Sequence, residues 1–331
     1  MDGICTLAND YVYDQLVALL NSIEAIAGIE MPVCVYPYDA NTDRIAAEIA
    51  RRPQVTLYDD ADSIQTWDRF VRDAWDCHPT ARQRWDAADG SKYHRVGTHR
   101  RYCAFDGPFD RFLYMDADTL LMGPVAPIFA QLDTADWVVY DYQYKDPSHV
   151  YDLPSEKLTQ VFSPARIETE IFCSGFYAAK RGLFEQSQRE WLLQQLRAGE
   201  AEVLYPLAPD QTLLNYMVMR SGISYCNMAR QLPPNAKTGC CVTSPHFEEK
   251  DHILYDRGRR LTYVHYIGVS AKLFARLCAG ENLKCPYRDL FLYYRYLHQP
   301  DQRPQFTGKP KLYDPPPSLV DRALKKIGLT R

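Results

Sequence analysis

Two carboxylates one residue apart, Asp116 and Asp118, close a short apolar run, Arg111-Phe112-Leu113-Tyr114-Met115. A run of that length with a polar break has the signature of a buried parallel-sheet strand. In open α/β sheets, ligands bind outside the carboxyl ends of the strands. Asp116 and Asp118 are therefore expected at the mouth of a site, close enough to share one hard cation and the oxygens of a phosphate. The plainer alternative is a strand-end turn, where Asp caps the next stretch of backbone. Other groups that could join such chemistry lie elsewhere. The basic cluster His94, Arg95, His99, Arg100 and Arg101 offers either a cationic wall for a diphosphate or a solvated helix face. His265 ends a strand-like run from Thr262, where a single histidine is either structural or a metal ligand. Asp210 opens a helical stretch, a common place for a cap, and Gln211 follows it.

The elements that must position these groups alternate. Gly3 to Leu7 reads as a strand, Tyr11 to Ile26 as a helix on the spacing of Leu16, Leu19, Leu20 and Ile23, and Pro32 to Tyr36 as a second strand. Asn41-Thr42 can cap a helix through Ile45 and Ile49, and Val55 to Tyr58 is a third strand. This is the β-α-β-α-β pattern of a doubly wound mononucleotide-binding half. Its first turn has neither Gly-x-Gly-x-x-Gly nor Gly-x-x-x-x-Gly-Lys, which argues against a dehydrogenase-type fold and a P-loop. Residues 61–95 are polar and rich in Trp, with Asp89-Gly90 as a turn, and a helix follows from about Tyr93 to Phe105. After the carboxylates come a short helix near Ile128, a strand at Trp137–Tyr140, an irregular stretch 141–168 of the length of a binding lid, and a strand through Phe172–Tyr177. Helices Leu183–Leu196 and Pro209–Ser221, a second irregular stretch 227–260, the strand 262–268 and a Tyr-rich helix Pro286–His298 complete the body. A Pro-rich linker, 300–317, leads to a tail helix, 318–328, with a basic side.

Composition narrows the class. A net charge of −4 argues against a general nucleic-acid binder, which needs a basic face. Ten cysteines without any Cys-x-x-Cys favour reduced thiols in a cytoplasmic protein over a disulfide framework or a zinc site. No basic-then-apolar leader opens the chain, and no apolar run approaches the roughly 20 residues of a membrane-spanning helix.

Five segments in order resemble the glycosyltransferases of family 8, which include glycogenins and bacterial lipopolysaccharide sugar transferases. Thr6-Leu7-Ala8-Asn9-Asp10-Tyr11 is similar to the family's first strand and nucleotide-binding turn. Arg100 sits at the spacing of a basic residue that faces the donor diphosphate. Tyr114-Met115-Asp116-Ala117-Asp118-Thr119-Leu120 matches the metal-binding Asp-x-Asp stretch. Phe172-Cys173-Ser174-Gly175 and Asp210-Gln211-Thr212-Leu213-Leu214-Asn215 resemble the Asn-Ser/Ala-Gly and Asp-Gln-x-x-x-Asn pair. His265-Tyr266-Ile267-Gly268 with Lys272 resembles His-x-x-Gly-x-x-Lys.

The resemblance covers roughly residues 3–275. It implies an α/β fold of GT-A type, a Rossmann-like mixed sheet flanked by helices, in a transferase domain 1–275 with a small helical C-terminal appendage, 276–331. It also implies a divalent metal (Mn2+ or Mg2+) on Asp116, Asp118 and His265, and a nucleotide-sugar donor, by family habit a uridine diphosphate sugar. The expected activity is hexosyl transfer with retention at the anomeric carbon. Leu7, Ala8, Asn9, Asp10 and Tyr11 would hold the nucleoside. Arg100, Lys272 and Gly268 would meet the phosphates, with Ala117, Ser174 and Gly175 beside the donor. Asp210, Gln211 and Cys173 would position the donor sugar and acceptor. Two departures stand out. Cys173 replaces the family's Asn, so a hydrogen bond to the donor sugar is missing or replaced. One extra residue separates Gly268 from Lys272, and Leu273 stands where Pro is expected, so Lys272 would reach the phosphate differently or Ser270 would take part. The acceptor, whether glycan, lipid or small molecule, is not written in these motifs. The tail helix could dock on the body, dimerise or touch an anionic membrane weakly. Two other readings compete: a non-catalytic sugar-nucleotide-binding relative, and a haloacid-dehalogenase-like phosphatase, whose Asp-x-Asp-x-Thr the chain also satisfies but whose motif usually opens its domain.

Overall fold

The computed structural model describes residues 1–87 and 93–313, and side chains in all of these except 93–95. The expected turn at Asp89-Gly90, the end of the Pro-rich linker and the tail helix lie outside the described residues, as do the side chains of His94 and Arg95. The chain begins with the expected alternation: β1 (Asp2–Ala8), α1 (Tyr13–Ala27), β2 (Val33–Pro37), α2 (Asp43–Ile49) and β3 (Val55–Leu57). Two helices, α3 (Ala61–Asp76) and α4 (Ala81–Ala87), occupy the Trp-rich stretch. Then come β4 (Arg111–Met115), β5 (Thr119–Leu121), α5 (Ala126–Gln131) and β6 (Trp137–Val139). Two short helices, α6 (Leu158–Val161) and α7 (Pro164–Glu170), interrupt the stretch read as irregular, before β7 (Phe176–Lys180) and α8 (Gln186–Arg197). The remainder is α9 (Pro209–Arg220), β8 (Tyr225–Asn227), α10 (Met228–Gln231), a small antiparallel sheet β9 (Glu248–Lys250), β10 (Ile253–Asp256) and β11 (Arg259–Arg260), then β12 (Tyr263–His265), α11 (Ala271–Cys278) and α12 (Arg288–Arg295).

Seven strands make the main sheet in the order β3-β2-β1-β4-β7-β6-β8. β1 runs parallel to β2 and to β4, while β7 is antiparallel to both β4 and β6, so the sheet is mixed. β4 is buried on both sides, as its apolar run demands. Phe112 and Tyr114 face one core, with Trp67, Phe105, Trp137 and Tyr177, and Leu113 and Met115 face the other, with Leu16, Leu20 and Val35. α1 lays Leu16, Leu19, Leu20 and Ile23 on that second face and stops at Gly28, whose φ of +95° suits a residue without Cβ.

Tyr93–Phe105 differs from the expected α-helix: it winds as 3₁₀ turns. A 3₁₀ winding rises about 2.0 Å per residue, against 1.5 Å for an α-helix, so the segment reaches further across the sheet. It also lies tight on the end of β2, where a Cβ at Gly97 would stand 2.2 Å from the Tyr38 carbonyl oxygen.

β5 leaves the main sheet and pairs antiparallel with β12, putting His265 opposite Thr119. A third apolar cluster joins Ala18 of α1, Leu120 of β5 and Val264 of β12 to Leu273, Leu277, Leu290 and Phe291 of α11 and α12. The expected boundary at residue 275 falls inside α11.

Candidate functional site

The chain turns sharply after β4. The Asp116 N–H donates to the Gly175 carbonyl at 2.9 Å, and the Asp116 carbonyl accepts from both the N–H (3.0 Å) and the hydroxyl (2.7 Å) of Thr119. Both carboxylates are thus held at the carboxyl edge of the sheet. The Asp118 carbonyl accepts the Tyr266 N–H at 2.9 Å, which ties this turn to the segment after β12.

His265 arrives through the β5–β12 ribbon and is fixed at its backbone by a hydrogen bond to the Cys240 carbonyl at 2.7 Å. Its Nε2 lies 3.2 Å from Asp118 Oδ1. Among the described residues, Asp116, Asp118 and His265 present ligand atoms all within 4.8 Å of one another. Ligands on opposite sides of a divalent cation stand roughly 4.2–5 Å apart, so the set is sized to hold one ion. Gly175 is the floor of the cradle: a Cβ there would lie 2.6 Å from His265 Cε1 and 2.8 Å from Asp116 Oδ2. One imidazole with two carboxylates suits manganese better than calcium, because nitrogen is a softer donor.

Charge organises the set further. Burial raises Asp116 above the ordinary aspartate range, and Arg101 only partly offsets it. Burial works against ionised Asp118 too, but His265 overrides it and holds Asp118 below that range. Burial would lower the His265 imidazole, yet Asp118 and a hydrogen bond with the Cys173 thiol hold it well above its usual value.

The cation inside the site is Arg101, not Arg100. Arg100 grips Asp68 with Nε and Nη2 at 3.2 and 3.0 Å and does not line the cleft. Arg101, whose side chain is 5 % exposed, places Nη2 3.1 Å from Asp116 Oδ1 and 3.2 Å from Asp210 Oδ2. Its Nη1 donates to the Ser174 carbonyl at 2.8 Å. An aromatic stack aims it: Trp137 on Tyr177 at 4.5 Å, Tyr177 on Tyr114 at 5.0 Å, and the guanidinium 4.8 Å above the Tyr114 ring. The Tyr114 hydroxyl also donates to Asp116 at 3.0 Å. Through Arg101 the two expected groups meet, since Asp210 Oδ2 accepts the Ser174 hydroxyl at 3.2 Å as well. Gln211 Oε1 accepts the Ser174 N–H at 3.3 Å, while its Nε2 donates to the His149 carbonyl at 3.2 Å in the expected lid. Asn215 clasps both backbone groups of Phe172 at 2.9 Å, fixing the Cys173-Ser174-Gly175 turn.

A cleft of about 640 Å³ opens over the carboxylates, within the usual size of a small-molecule site. Leu7, Ala8, Asn9, Tyr11, Ala117 and Gly268 line it as expected, together with Asp116 and Asp118. Tyr11 is one of the few large exposed aromatics, at 57 %. Asp10 does not line the cleft: its carboxylate caps α2, accepting the N–H groups of Arg44 and Ile45 at 3.0 Å. Lys272 is exposed and does not line the cleft either. Arg101 of the expected basic cluster lines it, and Gln15, Tyr38, Thr98, Val269 and Ala271 line it without having been singled out from the sequence. Arg101 was named in the basic cluster, but the spacing of the family resemblance pointed to its neighbour Arg100; along the 3₁₀ winding it is Arg101 that turns inward.

No family model matches the chain, and no curated protein matches it. Solved structures do. An active-site mutant of LgtC is 15 % identical, with 84 % of this chain and 95 % of that one covered and a TM-score of 0.51. The galactosyltransferase LgtC with donor and acceptor sugar analogues gives 15 %, 83 %, 94 % and 0.49, and mouse xyloside xylosyltransferase 1 gives 14 %, 68 %, 84 % and 0.45. The likeness at this identity is one of fold, the GT-A fold.

Proposed function

We propose that the chain is a metal-dependent, retaining glycosyltransferase that moves a hexose-type sugar from a nucleoside-diphosphate donor, a uridine donor first among candidates, to an acceptor. The observation that carries this reading is the Asp116–Asp118–His265 set at the carboxyl edge of a GT-A sheet, with ligand atoms within 4.8 Å of one another beneath an open cleft. A manganese or magnesium ion held by those three residues supplies the positive charge that a departing diphosphate needs. The chain's own groups do the rest. Tyr11, Asn9, Ala8 and Leu7 form a wall on which a flat base can stack. Gly268, with φ +77°, lets the backbone after β12 come close to phosphate oxygens. Arg101 holds Asp116 and Asp210 in one buried network, so the carboxylates are oriented before any ligand enters. Asp210, Ser174 and Gln211, joined to Asp116 through Arg101 and the Ser174 hydrogen bonds, are assigned to positioning of donor sugar and acceptor rather than to attack. Cys173 is turned to His265 and fixes the imidazole. Three strands, β1 to β3, precede the Asp116-Ala117-Asp118 turn, which disfavours the phosphatase reading, whose motif usually opens its domain. No described helix is long and apolar enough to cross a membrane; the reading of a cytoplasmic setting rests on ten cysteines that are all free thiols.

The test is hydrolysis or transfer from a panel of uridine and guanosine diphosphate sugars with manganese. Turnover in the wild type that disappears in Asp118→Ala supports the enzyme. Tight, metal-dependent nucleotide binding with no turnover on any acceptor would favour the non-catalytic relative.

A further inference from the structure

Gln15 is a buried polar group whose use lies in the cleft. It is 5 % exposed, lines the cleft, and its carboxamide has no hydrogen-bond partner among the described residues. Its amide atoms are not sealed off from solvent, so they open on the cleft, where a ligand acceptor can reach them. Its direction follows from α1. Residues three and seven further along a helix share a face. Ser22, seven on, accepts the Leu121 N–H of β5 at 3.0 Å, and Ala18, three on, packs in the cluster of Leu120 and Leu273. The same stripe therefore carries Gln15, at the first turn of α1, to the place where β5, α11 and the Asp118 turn meet.

The N-terminus of α11 faces that place. Ser270 caps it, its hydroxyl accepting the Lys272 N–H at 3.3 Å and its carbonyl the Leu273 N–H at 2.9 Å. The N–H groups of Ser270 and Ala271, both in the cleft wall, have no acceptor among the described residues. Three donors without acceptors, one of them buried, thus converge beside Asp118, and the helix end adds its positive potential. The ligand chemistry that satisfies several donors at a helix N-terminus is a phosphate.

We infer that Gln15 donates a hydrogen bond to a donor phosphate, acting with the Ser270 and Ala271 N–H groups as a neutral phosphate subsite. It supplements the cleft-lining cation Arg101, whose guanidinium is committed to Asp116 and Asp210, since Arg100 is held by Asp68 and Lys272 lies outside the cleft wall. The inference rests on the reading of the cleft as a nucleotide-sugar site.

Gln15→Met removes the donor at nearly constant volume, and Gln15→Ala serves as a second variant. Calorimetric titration with uridine and guanosine diphosphate at saturating Mn2+ is compared with saturation-transfer NMR of the corresponding nucleosides. Both variants should lose roughly ten- to a hundredfold in diphosphate affinity while the nucleoside signal and ligand-free thermal unfolding stay at wild-type values. Diphosphate affinity unchanged in both variants, or equal loss for nucleoside and diphosphate, would overturn the inference. A wild type that binds neither diphosphate would overturn the functional reading itself, and the inference with it.

Discussion

The Arg101 guanidinium touches Asp116, Asp210 and the Ser174 carbonyl from a side chain 5 % exposed. Removing one partner of such a buried network strands the others, at a cost of about 3–5 kcal/mol. Arg101→Ala is therefore expected to lower stability by that amount in urea unfolding, whereas Arg100→Ala, which removes a more exposed guanidinium paired with one carboxylate, Asp68, loses less. A second residue-scale prediction concerns Asp141. Its Oδ1 accepts the Gln143 N–H at 2.7 Å, but Oδ2 is buried with no partner, and burial pushes the carboxyl up to about 7. The unfolded chain ionises near 3.9. Between those values the unfolded state has given up the proton and the folded state keeps it, so this group lowers stability as pH rises from about 4 to 7. Asp141→Asn mimics the protonated acid. Its melting temperature relative to wild type should climb across that window, and a difference that does not change with pH would contradict the assignment. At this scale Asp116, Asp118 and His265 were legible because strand ends can be read from apolar runs. Asp10 was not, because one residue type serves equally to hold a base or to cap a helix 34 residues on.

Pairing decides the elements. β12 lies within the strand read at 262–268, but β5 is only three residues long and over 140 positions away, so the register that brings His265 to the carboxylates left no local signal. α11 was hidden because its start is marked only by the Ser270 cap. The strand–helix alternation of the first 60 residues was legible because each element carries its own pattern. The meeting of the β4 end with the turn before β7 depends on Gly175. Gly175→Ala would press a methyl against His265 and Asp116 at 2.6–2.8 Å. The expected outcome is loss of Mn2+ binding, seen by electron paramagnetic resonance, with all three ligands still present. Unchanged Mn2+ affinity would show that the cradle tolerates the displacement.

In the whole molecule, the sheet supplies the site's floor and the C-terminal helices brace it from behind. α12 lies on α1, with Arg295 Nε 2.6 Å from Asp14 Oδ1 and Asn21 donating to the Tyr294 carbonyl at 2.6 Å. The cluster these helices share with β5 and β12 holds the ribbon that carries His265. The fold class was legible from alternation and motif order together, while the antiparallel insertion of β7 between β4 and β6 was not, because strand order depends on contacts far apart in the chain. The central claim, that the three ligands bind a metal for a diphosphate, is tested most directly by calorimetric titration of uridine and guanosine diphosphate with and without Mn2+, in wild type and in Asp118→Asn. At least one diphosphate should bind the wild type at least tenfold more tightly with Mn2+, and that gain should vanish in Asp118→Asn. Binding that ignores the metal, or no binding of either nucleotide, would contradict the account.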